Sequence, residues 1–338
     1  MSQPPINPDP EKVGIVLATY NPNLQYFQKQ IESIQQQTWQ NWVCHLVDDS
    51  STPELQVEIQ RVVGNDQRFV CHFYDTNVRP FLNFERGLQH CNQDPTITAI
   101  AFSDQDDIWS TEKLRILLKQ LRAEAAVLVH SDLEIIDSQD QTLHASCWEL
   151  EGRHPEKLTS ELLLLQNTIT GCSLLFCASL LPAVLPFPRE MATTGHHDGW
   201  VALVASQLGK LVHLRQPLVR YRQHSANTIG AVPNAGKVWQ ELQVWAQQKK
   251  FRIVGKSYLA HRNLSEAFYQ RFEFQAAGAK QNPFSDRRLD FGLNILRLGI
   301  RSFRAGYGAE GVAIRLVLLK FLFDLRKILK SENTTFHD

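Results

Sequence analysis

Between Val13 and Gly230, short apolar segments typical of β-strands alternate with segments of helical periodicity, and this alternation limits the possible folds. The predicted strands are Val13 to Leu17, Trp42 to Val47, Phe69 to Tyr74, Ile97 to Phe102, Ala126 to His130, Ser173 to Cys177, Leu211 to Leu214 and Leu218 to Tyr221. Alternation of this kind predicts an α/β fold with a mostly parallel sheet and helices on both faces. Ligands of such sheets bind at the carboxyl ends of the strands.

The composition excludes several classes of protein. Lys plus Arg and Asp plus Glu both number 35, so no overall basic field indicates nucleic acid as a partner. The six cysteines form no CxxC pair and lie mostly among apolar residues, which predicts a reducing, cytoplasmic location. The start of the chain has no apolar signal-peptide core, and no apolar run approaches the roughly 20 residues of a transmembrane helix.

The sequence predicts three regions along the chain. Residues 1–11 are polar and rich in proline and are expected to form a disordered tail. Residues 12–230 hold the strand and helix alternation. Residues 231–338 are predicted to form a helical C-terminal extension, because their apolar residues recur at helical spacing among Gln, Lys and Arg.

Acidic residues crowd the predicted strand ends, most densely in Asp104-Gln105-Asp106-Asp107. In an extended turn Asp104 and Asp106 would point the same way, and Mg2+ or Mn2+ would take both as oxygen ligands. Open positions on such an ion are commonly filled by substrate phosphates. The alternative is a solvated acidic turn that caps the helix predicted from about Glu112.

Residues 289–330 combine apolar and basic residues on predicted helices. Leu293, Leu296 and Ile300 share one face, while Arg297 and Arg301 share another. A basic amphipathic segment can bind a membrane surface, which would make the protein peripheral on the inner face of the plasma membrane. Packing of these helices on the domain of residues 12–230 is the alternative.

Six ordered motifs carry a resemblance to a known family. They are Ile15 to Asn21, Gln37-Thr38-Trp39 with Leu46 to Ser51, Ser103 to Trp109, Thr170-Gly171-Cys172, His197 to Trp200, and Tyr221-Arg222-Gln223-His224. In this order and spacing they resemble glycosyltransferase family 2, and most of all its rhamnosyltransferase-like bacterial members. The resemblance covers about Val13 to Gly230 and implies the GT-A fold, with a Rossmann-like nucleotide-binding half and an acceptor-binding half.

The resemblance also implies roles on the reacting side of the site. Asp104 and Asp106 match the DxD pair, with Asp106 the direct metal ligand and Asp104 directed to the metal or the ribose. His224 would add an imidazole ligand or a hydrogen bond to phosphate. Asp198 matches the aspartate that removes a proton from the acceptor hydroxyl, and His197 would orient it. A helix N-cap is the structural alternative for Asp198.

The donor nucleotide is assigned to the first half of the domain. By the same resemblance Asp49 accepts a hydrogen bond from a uracil or thymine ring, and Thr19 and Tyr20 flank the base. Arg79 and Arg86, around Asn83-Phe84, are expected to meet the diphosphate, and Asn83 is expected to be a donor-binding residue. Exposed helical arginines are the alternative for Arg79 and Arg86. Many relatives have glycine after the asparagine that corresponds to Asn77, whereas this chain continues with Val78-Arg79-Pro80.

These motifs together predict an inverting, metal-dependent glycosyltransferase. The donor would be a nucleoside-diphosphate sugar of the dTDP or UDP type, with L-rhamnose as the sugar, and the acceptor a hydroxyl of a growing polysaccharide or lipid-linked glycan. A catalytically silent sugar-nucleotide or glycan-binding module is one alternative. A sugar nucleotidyltransferase is the other, although no Gly-rich phosphate loop follows the first strand.

Overall fold

The computed structural model describes residues 11–224, 251–272, 282, 295, 297 and 299–300, with only the backbone for 251–258. The strands are β1 Lys12–Thr19, β2 Trp42–Asp48, β3 Phe69–Phe73, β4 Ile97–Ser103, β5 Ile108–Trp109, β6 Ala126–Ile136, β7 Thr142–His144, β8 Leu174–Cys177 and β9 Lys210–Arg222. The α-helices are α1 Leu24–Gln35, α2 Pro53–Val63, α3 Arg79–Gln93, α4 Lys113–Ala123, α5 Cys147–Glu151, α6 Ser160–Leu165, α7 Leu181–Val184, α8 His197–Leu208 and α9 Phe251–Arg271.

All nine strands belong to one sheet, in the order β3-β2-β1-β4-β8-β6-β9-β5, with β7 paired to β6. The half formed by β3, β2, β1 and β4 is parallel throughout. In the other half β6 and β9 are parallel, whereas β8 is antiparallel to both β4 and β6. The predicted α/β fold is confirmed, with a Rossmann-like parallel half joined to a mixed half.

Parallel pairing brings the carboxyl ends of β1, β2 and β4 to one edge of the sheet. Thr19 lies opposite Asp48 in the β1–β2 register, and Leu17 lies opposite Ser103 in the β1–β4 register. The polar segments that follow these strands are therefore neighbours in space although they are far apart in sequence.

Local sequence signals set the first helices of the parallel half. Asn23 caps α1, because its side chain accepts hydrogen bonds from the backbone N–H groups of Gln25 and Tyr26. Thr52 caps α2 and is followed by Pro53 at the first helical position, where a missing N–H costs nothing. These helices begin directly after β1 and β2 and so leave short loops at the acidic edge of the sheet.

The structure corrects the predicted bounds of three elements. Leu211 to Leu214 and Leu218 to Tyr221 belong to a single strand, β9, whose pairing with β6 shifts register around Pro217. Strand β6 continues past Asp132 to Ile136, so Asp132 lies within the strand. The helix that would start just after Asp198, if Asp198 were its N-cap, begins instead at His197.

The described residues divide into two compact units. The first holds the sheet, Ile169–Phe187 and the segment that starts at His196, and the second holds Trp148–Thr168, Pro188–Gly195 and α9. Within the second unit, the His261 ring lies 3.1 Å from the carbonyl oxygen of Leu165. The predicted boundary at residue 230 and residues 1–10 of the predicted 1–11 tail lie outside the described residues and stay predictions. Segments 148–168 and 188–195 were predicted to belong to the 12–230 domain, whereas in the structure they belong to the second unit.

Most of the predicted basic extension also lies outside the described residues. Of its described members, Ile295 is buried, whereas Arg297 and Ile300 are exposed. In the part of the chain that the structure describes, we find no helix with the length and apolar character needed to cross a bilayer.

Three imidazoles stack beside the parallel half of the sheet. His45 on β2 and His72 on β3 approach to 3.2 Å between Nδ1 and Nε2, and His90 of α3 stacks on His72 with ring centroids 3.6 Å apart. The hydroxyl of Tyr74 lies 3.0 Å from His90 Nε2. Burial, reinforced by the neighbouring imidazoles, lowers the pKa of both His45 and His72 to about 4. Burial also lowers the pKa of His90.

We expect this stack to make the fold sensitive to acid. In the unfolded chain the imidazoles take up protons near pH 6.5, whereas in the folded protein those of His45 and His72 do so only at about pH 4. The stabilisation is therefore complete above about pH 6.5 and is lost as the pH falls towards about 4. His72→Phe keeps a ring in the stack and removes one such group, so its melting temperature should fall less than that of the wild type between pH 7 and 5. Equal falls in the two proteins would contradict this account.

Candidate active site

Gln105 joins the ends of β1 and β4 at the acidic edge. Its side-chain carbonyl oxygen accepts hydrogen bonds from the Thr19 hydroxyl and the Tyr20 backbone N–H, both at 2.9 Å. The Tyr20 side chain remains 49% exposed. Thr19 and Tyr20, predicted to flank the donor base, thus lie directly beside the acidic tetrad. No role was predicted for Gln105, although its place inside the tetrad was a usable signal.

Asp106 and His224 lie far apart in the sequence of the first unit but are in contact in the structure. The loop after β4 carries Asp106, and His224 follows the end of β9, which pairs with β5 just beyond the tetrad. Asp106 Oδ2 lies 2.8 Å from His224 Nε2. The ring of Tyr26, on α1, lies 5.5 Å from the imidazole between centroids. The structure therefore brings together two of the three predicted metal ligands, which are separated by 118 positions in the chain.

Arg222 fixes the backbone around this pair. Its buried guanidinium donates from Nε to the Asp106 carbonyl oxygen at 2.8 Å, forms an ion pair with Asp140, and lies 4.4 Å from the ring centroid of Tyr26. Its backbone N–H donates to Asp107 Oδ1 at 3.1 Å. Arg222 was predicted only as a member of a motif, because this role depends on contacts with residues more than 80 positions away in the chain.

Asp104 and Asp107 form a second, more enclosed group with Cys172. Ligand atoms of the three side chains lie within 4.8 Å of one another. Burial, followed by the charges of Asp106 and Asp198, raises the pKa of Asp104 to about 7. Burial and the charges of Asp106 and Asp104 likewise raise the pKa of Asp107. Both carboxyl groups therefore keep their protons to a higher pH than exposed carboxyl groups do.

The donor set fits a hard divalent cation. Two carboxylates and an imidazole are ligands that Mn2+ accepts, and Mg2+ takes the carboxylates. A cation at Asp104, Asp106 and His224 would also relieve the repulsion that raises the pKa of Asp104. The alternative that the tetrad caps α4 finds no support, because β5 intervenes and Glu112, the N-cap of α4, makes no side-chain capping bond.

Asp198 is the second residue of α8, and both its carboxylate oxygens accept backbone hydrogen bonds. Oδ2 accepts from Gly171 N–H at 3.0 Å and Oδ1 from Gly199 N–H at 2.6 Å. The N-cap position belongs to His196, so the N-cap alternative for Asp198 is wrong. These two hydrogen bonds fix the orientation of the carboxylate between α8 and the turn at Gly171.

His197 packs in an aromatic cluster. Its ring stacks on Phe84 with centroids 3.5 Å apart and meets the edge of Phe102 at 4.9 Å. Burial lowers the pKa of His197 to about 4, so the ring is neutral at physiological pH. Its Nε2 has no hydrogen-bond partner among the described residues. This packing favours a structural role for His197, whose ring supports the turn beside Asp198.

Asp49, at the end of β2, is bound to the start of α3. Its carboxylate accepts hydrogen bonds from the backbone N–H groups of Val78 and Arg79, each at 2.8 Å, and pairs with Arg86 Nη1 at 3.0 Å. The guanidinium of Arg86 lies 3.9 Å from the ring centroid of Tyr74. Asp49 and Arg86, predicted to bind the base and the diphosphate, therefore form one unit that also caps α3.

Asn83 and Arg79 differ from what the sequence suggested. Asn83 is 1% exposed, and its Nδ2 donates to the carbonyl oxygen of Val47 at 2.8 Å, which favours a structural link between α3 and β2 over donor binding. Arg79 has a φ of 71°, in the left-handed region that glycine tolerates best. The two hydrogen bonds that Arg79 N–H donates, to Asp49 and to Asn77, hold this conformation.

The parallel half with its acid-lined edge, and a mixed half that supplies a histidine and a further carboxylate, define a glycosyltransferase of the GT-A fold. Residues 14–181 match the family model Glycosyl transferase family 2. The chain belongs to this family, as its motifs predicted.

Relatives and solved structures agree with this assignment. An uncharacterized glycosyltransferase of Nostoc sp. is 24% identical over 337 residues, which cover 96% of this chain and 99% of the relative. One of Rickettsia bellii is 24% identical over 66% of this chain and 30% of its own length. The crystal structure of S. aureus TarS 1–349 is 14% identical, with a TM-score of 0.53 and 90% of each chain covered. Its UDP-GlcNAc complex gives a TM-score of 0.50 at 14% identity, covering 93% of this chain and 92% of TarS 1–349. At this identity the similarity shows the fold.

The contact between Gly171 and His197 gives a test of how Asp198 is held. A Cβ at position 171 would lie 2.5 Å from His197 Nε2, and the ring is held by Phe84 and Phe102. We expect Gly171→Ala to cost about 1–3 kcal/mol of stability, as overpacking does, and to reduce transfer by displacing Asp198. Denaturant unfolding and transfer assays measure both effects.

A double-mutant cycle identifies the cause. If the clash is responsible, adding His197→Ala to Gly171→Ala will cost less than the sum of the two single changes. Additive costs would show that the contact with His197 is not the source of the effect.

Proposed function

We propose that the protein is an inverting, metal-dependent glycosyltransferase that moves a sugar from a nucleoside diphosphate to a hydroxyl of a growing polysaccharide or lipid-linked glycan. The observation that carries the proposal is the convergence of Asp104, Asp106, His224 and Asp198 on one acidic cluster. Asp106 contacts His224 directly, and the charge of Asp198 acts on Asp104.

Asp104, Asp106 and His224 are the residues that would hold the cation. Bound there, Mg2+ or Mn2+ supplies electrostatic stabilisation to the diphosphate as it departs. Arg222 donates from Nε to the backbone carbonyl oxygen of Asp106 and from its own backbone N–H to the carboxylate of Asp107, and these contacts hold both residues in place before any ligand arrives. Positions fixed before binding reduce the reorganisation that the reaction requires.

Asp198 acts as the general base. The acceptor oxygen forms a bond to the anomeric carbon, the bond from that carbon to the phosphate oxygen breaks, and the hydroxyl proton passes to Asp198. A single displacement of this kind inverts the anomeric configuration. The hydrogen bonds from Gly171 and Gly199 N–H fix the orientation of the carboxylate for this transfer.

The donor is proposed to be a dTDP or UDP sugar, with L-rhamnose as the sugar. TarS, whose fold this chain shares, has been crystallised with UDP-GlcNAc, which supports a nucleotide-sugar donor. The uracil or thymine ring of the donor would lie by Thr19, Tyr20 and Asp49, where β1 and β2 end. The diphosphate would lie between Arg86 and the metal ligands. The preference for rhamnose rests on the motif resemblance alone.

Two amide variants test the assignment of Asp198 as the general base and of Asp106 as a metal ligand. Asp198→Asn keeps the size of the side chain, so it should fold, bind nucleotide with metal and lose transfer by about 100-fold or more. Asp106→Asn should instead lose metal-dependent binding of the nucleotide. Thermal shifts with UDP, dTDP and GDP in Mn2+ measure binding, and donor turnover measures transfer.

Glu54→Gln is a matched control, because Glu54 is an exposed carboxylate in the first turn of α2. It should leave both binding and transfer unchanged. Near-normal turnover by Asp198→Asn would remove Asp198 as the base, and unchanged metal-dependent binding by Asp106→Asn would remove Asp106 as the ligand.

We also propose that the enzyme works at the cytoplasmic face of the membrane, with residues 289–330 on the lipid surface. The support is the basic amphipathic pattern of this segment and the exposure of Arg297 and Ile300. Attraction of basic residues to anionic lipid and burial of apolar residues would act together.

Vesicle sedimentation tests the membrane proposal. We expect the full chain to sediment with vesicles that contain anionic lipid, less so as salt rises, because the attraction is screened. A variant with Arg297→Glu, Arg301→Glu and Arg304→Glu should lose this binding. Equal sedimentation of the two proteins, or none with either, would reject the lipid-binding role.

A further inference from the structure

Lys113, the first residue of α4, is a buried cation beside the acidic cluster. The residue is 0% exposed, although lysine is rarely fully buried. Its Nζ donates to the carbonyl oxygen of Cys172 at 2.6 Å and lies 3.1 Å from the ring centroid of Trp109. Burial of an ammonium group is costly unless nearby negative charge or hydrogen bonds compensate for it.

The compensating charges belong to the inner group of Asp104, Asp107 and Cys172. The charge of Lys113 opposes the rise in pKa of both Asp104 and Cys172, and the charges of Asp107 and Asp104 in turn act on Lys113. The ligand atoms of the inner group lie within 4.8 Å of one another, close enough to surround a metal ion. Lys113 already supplies a positive charge there, and like charges repel.

We propose that Lys113 is the cation of the inner group, where its ammonium group takes the place of a second metal ion. Lys113 also acts as a positioning residue for the exchangeable metal ion, which binds in the outer position. The proposal rests on the proposed function in one respect, since Asp104, Asp106 and His224 are taken to hold the exchangeable ion, with Asp104 shared between the two positions. In this arrangement the cluster has two cationic positions, of which the inner is filled by the chain itself.

The bond from Lys113 to Cys172 also reaches the acceptor side. Cys172 lies in the 3-10 turn Gly171–Ser173, and Gly171 N–H binds Asp198. One side chain therefore both offsets the charge of Asp104 and Asp107 and holds the turn that orients Asp198. The metal ligands and the base are thus connected through Lys113 and the Gly171–Ser173 turn.

Replacing Lys113 by an uncharged residue removes the buried positive charge that lies beside Cys172 and the two carboxylates of the inner group.

The test uses Lys113→Met, which keeps the length of the side chain and removes the charge, and Co2+ as the metal. In the wild type we expect one Co2+ at oxygen and nitrogen ligands. In Lys113→Met the inner group should accept a second Co2+, bound through Cys172, and show thiolate-to-cobalt charge-transfer absorption that the wild type lacks. Lys113→Met with Cys172→Ser should lose that absorption. A purely structural lysine would not give this signal.

A charge-compensated variant covers the case in which Lys113→Met does not fold. Adding Asp107→Asn removes one negative charge, so the double variant should fold and bind a single Co2+. Rescue of folding supports the proposal, whereas failure of both variants to fold, or one Co2+ without charge transfer in folded Lys113→Met, overturns it. Wild-type protein that binds no Co2+ would instead reject the outer metal site, and the inner signal in Lys113→Met could still appear.

Discussion

Repulsion among carboxylates at one edge of a sheet is the constraint on which this structure depends. Parallel pairing of β1, β2 and β4 brings their ends together, and Asp104, Asp106 and Asp107 follow the last of these strands. The proximity of Asp106 contributes to the raised pKa of both Asp104 and Asp107. Side chains from other parts of the chain, among them Lys113, Arg222 and His224, approach this edge.

The pairing of strands in the mixed half of the sheet brings side chains to this edge. Strand β9 pairs with β6 along most of its length and with β5 just after the tetrad, so its last residues end beside Asp106. The 3-10 turn before β8 places the carbonyl oxygen of Cys172 over Lys113 and Gly171 N–H against Asp198. The second half of the domain therefore completes a site that the first half leaves too negative.

Much of this was predictable from sequence because it follows from local patterns. Strand and helix alternation gave the α/β fold, and the acids after Phe102 and the late His224 indicated a metal site. Buried pairing was not predictable, because lysine and arginine have no pattern that distinguishes a buried residue from an exposed one. Lys113 and Arg222 acquire their roles only through partners 59 and more than 80 residues away.

The contacts of Asn83 and His197 could not be predicted for a related reason. Both stand in motifs where a polar residue suggests contact with a ligand, yet Asn83 bonds to the backbone of β2 and His197 stacks on Phe84. Sequence identifies the residue type, whereas the direction of the side chain depends on how α3 and α8 pack. The same limit applied to β9, whose interruption at Pro217 gave the appearance of two strands.

The anchoring of α3 by Asp49 has a consequence for sequence variation. Asp49 recognises the start of the helix through the backbone N–H groups of Val78 and Arg79, which any residue except proline provides. Side chains in this loop can therefore be exchanged without loss of the anchor. A family can vary the surface around a nucleotide in this way while the carboxylate that organises it stays the same. The Val78-Arg79-Pro80 segment is one such variant, with its proline placed just beyond the two N–H groups that Asp49 needs.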